Sequence, residues 1–413
     1  MKTNPTDALG AREAADYLGV KLQSLYAYAS RGMLKSLPGT RGRARRYARA
    51  DLEALRARSA GPAASALRFG EPVLETRITR MTAHGPEYRG YEAVELARAG
   101  TPFTSVAELL WTGALPERAP SWPADDSRFP ARELAALVPR GSPPLTGLAV
   151  ALPALGAADA ARFDTNAEAV LARARRLIPR LAAACALALE PRRLGPALAG
   201  GDPVRALALA LGAPTTKRAL ELLNCTLVLL ADHELNASAF AGRVAASTGA
   251  DLYACLGAAV AAVSGPLHGG ASEQVEMLAR EAASAAGAAG AVRDRMRRGE
   301  RIPGFGHTLY PAGDPRVPPL LEAALRLAPR APRVKTLAAI LAAMSAAGRP
   351  EPNVDVALAC VCAALDLPHG QGPAIFAIGR SAGWVAQILE QYEAGFVLRP
   401  RARWVGPAGM LPA

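Results

Sequence analysis

From Glu133 to the end the chain is written mostly in Ala, Leu and Arg, interrupted by Pro and Gly, with few of the β-branched alternations that strands need. That text predicts helix after helix and a nearly all-α fold. At 413 residues and 51% hydrophobic content the chain exceeds one ordinary domain and holds apolar material for a large core. The uncharged run 141–158 is long enough to query as a membrane span, but Pro143, Pro144 and Pro153 interrupt it, and it is discounted. Residues 1–10 carry no apolar segment of the kind a secretory signal needs. The five cysteines (Cys185, Cys225, Cys255, Cys360, Cys362) are odd in number, sit in apolar helical text and lack metal-ligand spacing. A reduced, metal-free, cytoplasmic protein is expected.

Charge separates the front of the chain from the rest. Residues 1–60 hold 12 basic and 5 acidic side chains, so +7 of the net +12 lies there. A nucleic acid or another polyanion is the partner such a piece suggests. Ala11 to Leu18 has apolar residues at helical spacing, Gly19 suits a stop, and Leu22 to Arg31 reads as a second helix. Basic text from Thr40 to Tyr47 follows, then a third helix over Asp51 to Arg58. This segment resembles the winged helix-turn-helix of the excisionase and MerR-like families. The resemblance places Lys21, Arg41, Arg43, Arg45 and Arg46 against phosphates, with Ser24, Tyr26 and Tyr28 on the recognition helix. The alternative is a basic bundle that docks protein. Small residues and Pro over 59–66 suit a linker, giving domains 1–60 and 69–413 joined through 61–68.

The chain has five histidines, and three lie in polar or glycine-rich text of its C-terminal half. His268 sits in Gly265-Pro-Leu-His-Gly-Gly270, between a small-residue helix and a new helix from Ala271. A helix N-terminus facing the ring disfavours imidazolium and leaves a neutral donor for a developing oxyanion. His233 lies in Ala231-Asp-His-Glu-Leu-Asn-Ala237, and His307 in Pro303-Gly-Phe-Gly-His307. Further on come Asp314-Pro-Arg316, Pro352-Asn-Val-Asp355, Gly379-Arg-Ser381 and Arg399-Pro-Arg401. Singly, each reads as a turn, a cap or a solvated charge.

Together and in this order they closely resemble the citrate synthase family, as do Glu75 to Thr79, Tyr88-Arg-Gly-Tyr91 and Gly379 to Trp384. The likeness runs from about Phe69 to the end and implies large and small helical domains around a cleft, the small one spanning roughly 270–370. It implies condensation of acetyl-CoA with oxaloacetate to citrate and CoA through an enolate, with no cofactor besides the thioester substrate and no metal. It assigns Asp355 as base, His268 as donor to the thioester oxygen and His307 as donor to the ketone. His233, Arg316 and Arg380 bind the second substrate, and Arg399, with Arg401 as competitor, comes from the neighbouring subunit of a homodimer. Methylcitrate synthesis from propionyl-CoA is the alternative enzyme reading. A DNA-binding regulator that senses acyl-CoA or a dicarboxylate is the alternative of another class.

Three departures from the family pattern bear on coenzyme A contacts and acyl preference. No Lys or Arg stands between His307 and Asp314, Ser272 replaces the usual Asn, and Leu230 replaces a usual His. His84 and His369 match no catalytic position and read as ordinary loop histidines.

Overall fold

In the computed structural model of the chain the described residues are 8–18, 22–30, 34, 36–38, 45–49, 51–52, 74–124, 129–348 and 350–401. Contacts divide the chain into two compact units, Met1–Thr76 and Arg77–Ala413.

In the first unit, β1 (Ala8–Gly10) leads into α1 (Ala11–Leu18) and α2 (Leu22–Ser30), followed by β2 (Ser36–Pro38) and β3 (Arg45–Ala48). β3 is central and antiparallel to both neighbours, with Tyr47 opposite Leu9 and Ser36. Ala14, Ala15, Leu25, Leu34, Tyr47 and Leu52 form its core. Two helices and a β-hairpin around one small core make a winged helix-turn-helix. Of the third helix expected over 51–58, only Asp51 and Leu52 lie among the described residues.

The second unit opens with a short antiparallel sheet of β4 (Thr79–Thr82), β5 (Gly85–Tyr88) and β6 (Tyr91–Glu92). Helices follow. Those that build the site are α3 (Ala93–Arg98), α4 (Phe103–Thr112), α5 (Pro144–Ala157), α6 (Ala167–Ala184), α7 (Lys217–Leu230), α8 (Ala237–Ser247) and α9 (Leu252–Val263). After them come α10 (Ala271–Ala282), α11 (Ala288–Arg297), α12 (Val317–Leu327), α13 (Pro332–Ala346), α14 (Val354–Ala364) and α15 (Gly372–Ala394). The uncharged run beginning at Gly141 becomes α5, and no helix among the described residues is long and apolar enough to cross a membrane.

α15 is the spine. It is buried on all sides from Gly372 to Ile388 and packs against α4, α7, α8 and α9. A helix apolar all round belongs in the middle of a large core. Close approach needs missing side chains: a Cβ on Gly379 would stand 2.9 Å from Leu230 Cβ, and one on Gly383 would stand 2.3 Å from Asp232 Oδ1. A second, smaller core joins α10, α11 and α13 through Leu278, Ala282, Ala288, Val292, Ile340 and Met344.

Helix starts show what local reading misses. Ser105, a residue type that often starts helices, is buried inside α4 instead, and the Phe103 N–H donates to Asn224 Oδ1 at 2.8 Å. Asn224 Nδ2 in turn donates to Thr101 O at 2.9 Å. The cap arrives from α7, 121 positions away. Tyr88 works similarly: fully buried at the end of β5, its hydroxyl donates to Val228 O at 3.0 Å and lies 3.3 Å from Asp232 O, closing the end of α7 where the Asp232–His233 turn begins.

Candidate active site

Two chain segments zip together to set one side of the cleft. Gly306 N–H donates to Glu351 O at 2.8 Å, Asn353 N–H to Gly304 O at 2.9 Å and Asn353 Nδ2 to Gly306 O at 3.1 Å. Gly304 holds φ +83°, and a Cβ there would meet Val356 Cγ2 at 2.3 Å, so only glycine fits this seam. The seam fixes His307 beside the first turn of α14, where Asn353 caps the helix by accepting from Asp355 N–H at 3.0 Å. Asp355 thus sits on a rigid helix start. Burial is the main influence on its carboxyl, raising its pKa to about 6 against the opposing pull of the Arg316 charge.

His233 stands edge-on to His307 and Tyr310, with ring centres 5.5 and 5.8 Å away, and the His307 and Tyr310 rings are tilted at 34° with centres 4.8 Å apart. The Tyr310 hydroxyl meets His233 Nε2 at 3.2 Å. His307 Nδ1 accepts the Leu309 N–H at 3.1 Å. An accepting Nδ1 carries no proton, so the neutral ring holds its proton on Nε2, the atom left to donate to a ligand. Burial and the Arg316 charge push both histidines' pKa values down, His233 strongly.

Each buried arginine of the floor has a buried aspartate for company. Arg316, 2% exposed, uses Nε and Nη2 on the two Asp314 oxygens at 2.9 and 2.7 Å. Asp314 Oδ2 also accepts the Val354 N–H at 3.2 Å, tying the ion pair to α14. Half of the Arg316 fork is therefore committed, and its Nη1 makes no hydrogen bond among the described residues. Arg380, 1% exposed, donates from Nε to Leu230 O at 2.7 Å and lies over the Phe376 ring at 4.8 Å. Burial lowers its pKa to about 10 even though Asp232 opposes that shift. Its two Nη nitrogens make no hydrogen bond among the described residues, leaving a planar pair of donors for a carboxylate.

His268 lies on the other wall, its Nε2 2.8 Å from Ser238 Oγ and its ring edge-on to Phe376. Ser238 Oγ also accepts from Trp384 Nε1 at 3.1 Å and lies 2.7 Å from Asn236 Oδ1. Tryptophan can only donate, so the single hydroxyl proton of Ser238 turns either to Asn236 or to His268. In the second state His268 carries its proton on Nδ1, which takes no partner among the described residues. Burial first, and then the Arg380 charge, pulls the His268 pKa down to about 4. The neutral ring expected from the sequence is present, with burial rather than the following helix end as the leading cause.

Six of the seven candidate residues gather in this cleft. Arg399 does not: it is exposed after α15 and, among the described residues, makes no hydrogen bond or ion pair with them. Reading the sequence missed Asp232, Ser238, Tyr310 and Trp384. Asp232 lies inside the quoted His233 motif and Ser238 directly after it, yet nothing local shows which atoms they reach.

In the first unit, Lys21, Arg41 and Arg43 lie outside the described residues, as does the side chain of Ser24. Tyr28 does not present an open reading surface. Three positions after buried Leu25, it packs half-buried against the small core, whereas Tyr26 is 46% exposed. Arg45 and Arg46 are adjacent on β3, so they point to opposite faces and cannot line one surface together.

Comparison with known proteins agrees with this geometry. The family described as citrate synthase, C-terminal domain, matches residues 68–401, and a helix-turn-helix domain family matches residues 8–60. Citrate synthase 2 of Bacillus subtilis is 36% identical over 273 residues, 64% of this chain and 73% of the relative. The 2-methylcitrate synthase of Mycobacterium tuberculosis is 33% identical over 338 residues, 77% of this chain and 84% of the relative. Among solved structures, citrate synthase from Thermoplasma acidophilum, in ternary complex with carboxymethyl coenzyme A and oxaloacetate, is similar with a TM-score of 0.72 and 26% identity, covering 84% of this chain and 97% of that one. With its cleft residues in family order and four-fifths of its length matched, the chain belongs to the citrate synthase family, with a helix-turn-helix domain at its front.

Proposed function

We propose that the chain condenses acetyl-CoA with oxaloacetate, giving citrate and free CoA. The observation that supports this most is the pairing of a carboxylate whose pKa is raised to about 6, Asp355, with neutral histidines over two buried arginines. A methyl group beside a thioester is a weak acid, and a carboxylate removes its proton only if the enolate oxygen is stabilised as charge arrives. Asp355 takes that proton. His268 donates from Nδ1 to the enolate oxygen once Ser238 has turned its hydroxyl proton toward Nε2. His307 donates from Nε2 to the ketone oxygen of oxaloacetate, making its carbon electrophilic. The enolate carbon attacks that carbon, and water then cleaves the thioester to release CoA. The Arg380 Nη pair and the open side of Arg316 hold carboxylates, and His233 is held in place by Tyr310. Arg399 reaches the site of the neighbouring subunit in a homodimer.

Propionyl-CoA is the competing acyl donor, since the similar proteins include a 2-methylcitrate synthase. A thiol-release assay comparing acetyl- and propionyl-CoA, each with and without oxaloacetate, decides between them: the proposal expects the larger kcat/KM with acetyl-CoA. The first unit binds double-stranded DNA on this reading, which is favoured by the helix-turn-helix match and by exposed Tyr26 on α2. Its test is retention of a labelled duplex at low salt, and absence of retention moves the unit to a protein-docking role.

A further inference from the structure

Beneath the cleft runs a second polar group that the chemistry above does not use. Arg243, on α8, is 2% exposed. Its Nη1 donates to Glu390 Oε2 at 2.7 Å and to Gln387 Oε1 at 3.0 Å, and its Nε donates to Gln391 Oε1 at 3.1 Å. Both glutamines are 1% exposed on α15. Arginine has donors only, so it fixes the orientation of each amide: both Oε1 atoms face Arg243 and both NH2 groups face away. Gln387 then points Nε2 at Asp232 Oδ2, 3.5 Å away, below His233 and Arg380. Gln391 donates from Nε2 to the carbonyl of Phe396 at 3.0 Å.

That carbonyl lies where the chain leaves α15. Gly395 ends the helix at φ +68°, and the segment after it is held again where Leu398 N–H donates to Ser247 Oγ, at the end of α8, at 3.1 Å. Arg399 is the next residue. Two hydrogen bonds, from Gln391 and to Ser247, thus set the path of an otherwise exposed strand of chain, with Phe396 50% and Val397 58% exposed. One buried cation orients both the amide that supports the floor aspartate and the amide that grips the exit segment.

We propose that Gln391, oriented by Arg243, is a positioning residue that aims the segment carrying Arg399, and so sets affinity for the dicarboxylate substrate without touching it. The inference rests on the reading of Arg399 as a substrate-binding arginine of the partner site. The informative variant is Gln391→Glu, which keeps an acceptor for Arg243 and replaces the N–H that Phe396 O receives with a carboxylate oxygen, adding a negative charge beside Arg243 and Glu390. A part-buried carbonyl left without its donor turns to water, and the segment keeps only one of the two bonds that set its path.

The experiment measures oxaloacetate KM and kcat on the full chain for Gln391→Glu, Arg399→Ala and the double variant, with hydrogen exchange over 395–401. Expected are about a tenfold rise in KM for Gln391→Glu, kcat within about twofold, faster exchange confined to 395–401, and a double variant no worse than Arg399→Ala alone. A purely structural role would make the two effects multiply. Multiplying effects, unchanged KM in Gln391→Glu with normal KM sensitivity at Arg399, or unchanged exchange over 395–401 would overturn the proposal. If Arg399→Ala leaves KM unchanged, the reading of Arg399 fails by itself, and the exchange result alone then decides whether Gln391 holds the segment. Gln391→Leu provides the same comparison should the glutamate variant fail to fold.

Discussion

Arg316 and Arg45 carry the same side chain in opposite settings. Arg316 is 2% exposed, locked to Asp314 on two bonds, and that aspartate is itself bonded to the start of α14. Arg45 stands exposed on a four-residue strand of a unit whose core is only a handful of side chains. In the cleft, removal from water makes each charge strong, directional and insensitive to salt, and makes any unpaired partner costly. On the hairpin a charge is screened and replaceable, and it acts by its number rather than its angle. Losing one charge should therefore be severe in the second unit and mild in the first.

The largest effect expected is at Asp355. Asp355→Asn should lower kcat by about 10²–10⁴-fold, the usual contribution of a positioned base. It should also raise stability at pH 7, because burial pushes the folded-state pKa to about 6, above the ordinary value of 3.8. A carboxyl that binds its proton more tightly when folded destabilises as pH rises from about 4 through about 6. The gain, on the order of 1–3 kcal/mol, should be present at pH 7 and vanish near pH 4 when thermal unfolding of the two proteins is compared. A fall in stability at pH 7 would show that Asp355 is held by favourable contacts rather than strained by burial.

Asp314→Asn comes next. It leaves Arg316 buried without its charge partner, and about 3–5 kcal/mol of stability should be lost, with little change between low and high salt. Chemical denaturation at two ionic strengths checks this. A loss below about 1 kcal/mol, the ordinary worth of an exposed pair, would place Arg316 with Arg45.

The pH profile sharpens the same contrast inside the cleft. kcat/KM should fall about tenfold per unit below pH about 6 as Asp355 gains its proton. No second inflection is expected above the ordinary histidine value of 6.5, since burial pushes His233, His268 and His307 all below it. An inflection near 6.5 that disappears in His307→Gln would assign the acid limb to a histidine instead.

Smallest is Arg45→Ala. Stability should move by no more than about 0.5 kcal/mol, while the log–log salt slope of duplex binding should flatten by about one unit. An unchanged slope would remove Arg45 from the phosphate contacts.

Much of this was legible in the sequence, and the misses share a cause. Ala11–Leu18 was readable as a helix because apolar spacing and a following glycine are local signals. The residues that gather in the cleft were readable because their motifs occur in family order. The sheet over residues 79–92 was not: strands of two to four residues in Gly- and Pro-containing text show no alternation to read. The cap of α4 comes from Asn224 and the grip on Phe396 from Gln391 under Arg243, contacts that exist only after folding. Tyr28 was a different failure, since its spacing from Leu25 already placed it on the core side of α2.

The central claim is that Asp355, His268 and His307 form one enolate-generating site. The most direct measurement is thiol release from acetyl-CoA by the purified full chain, with and without oxaloacetate, beside Asp355→Asn. The account predicts release that requires oxaloacetate and nearly disappears in the variant. No release from acetyl- or propionyl-CoA with oxaloacetate, or equal release by Asp355→Asn, would contradict it.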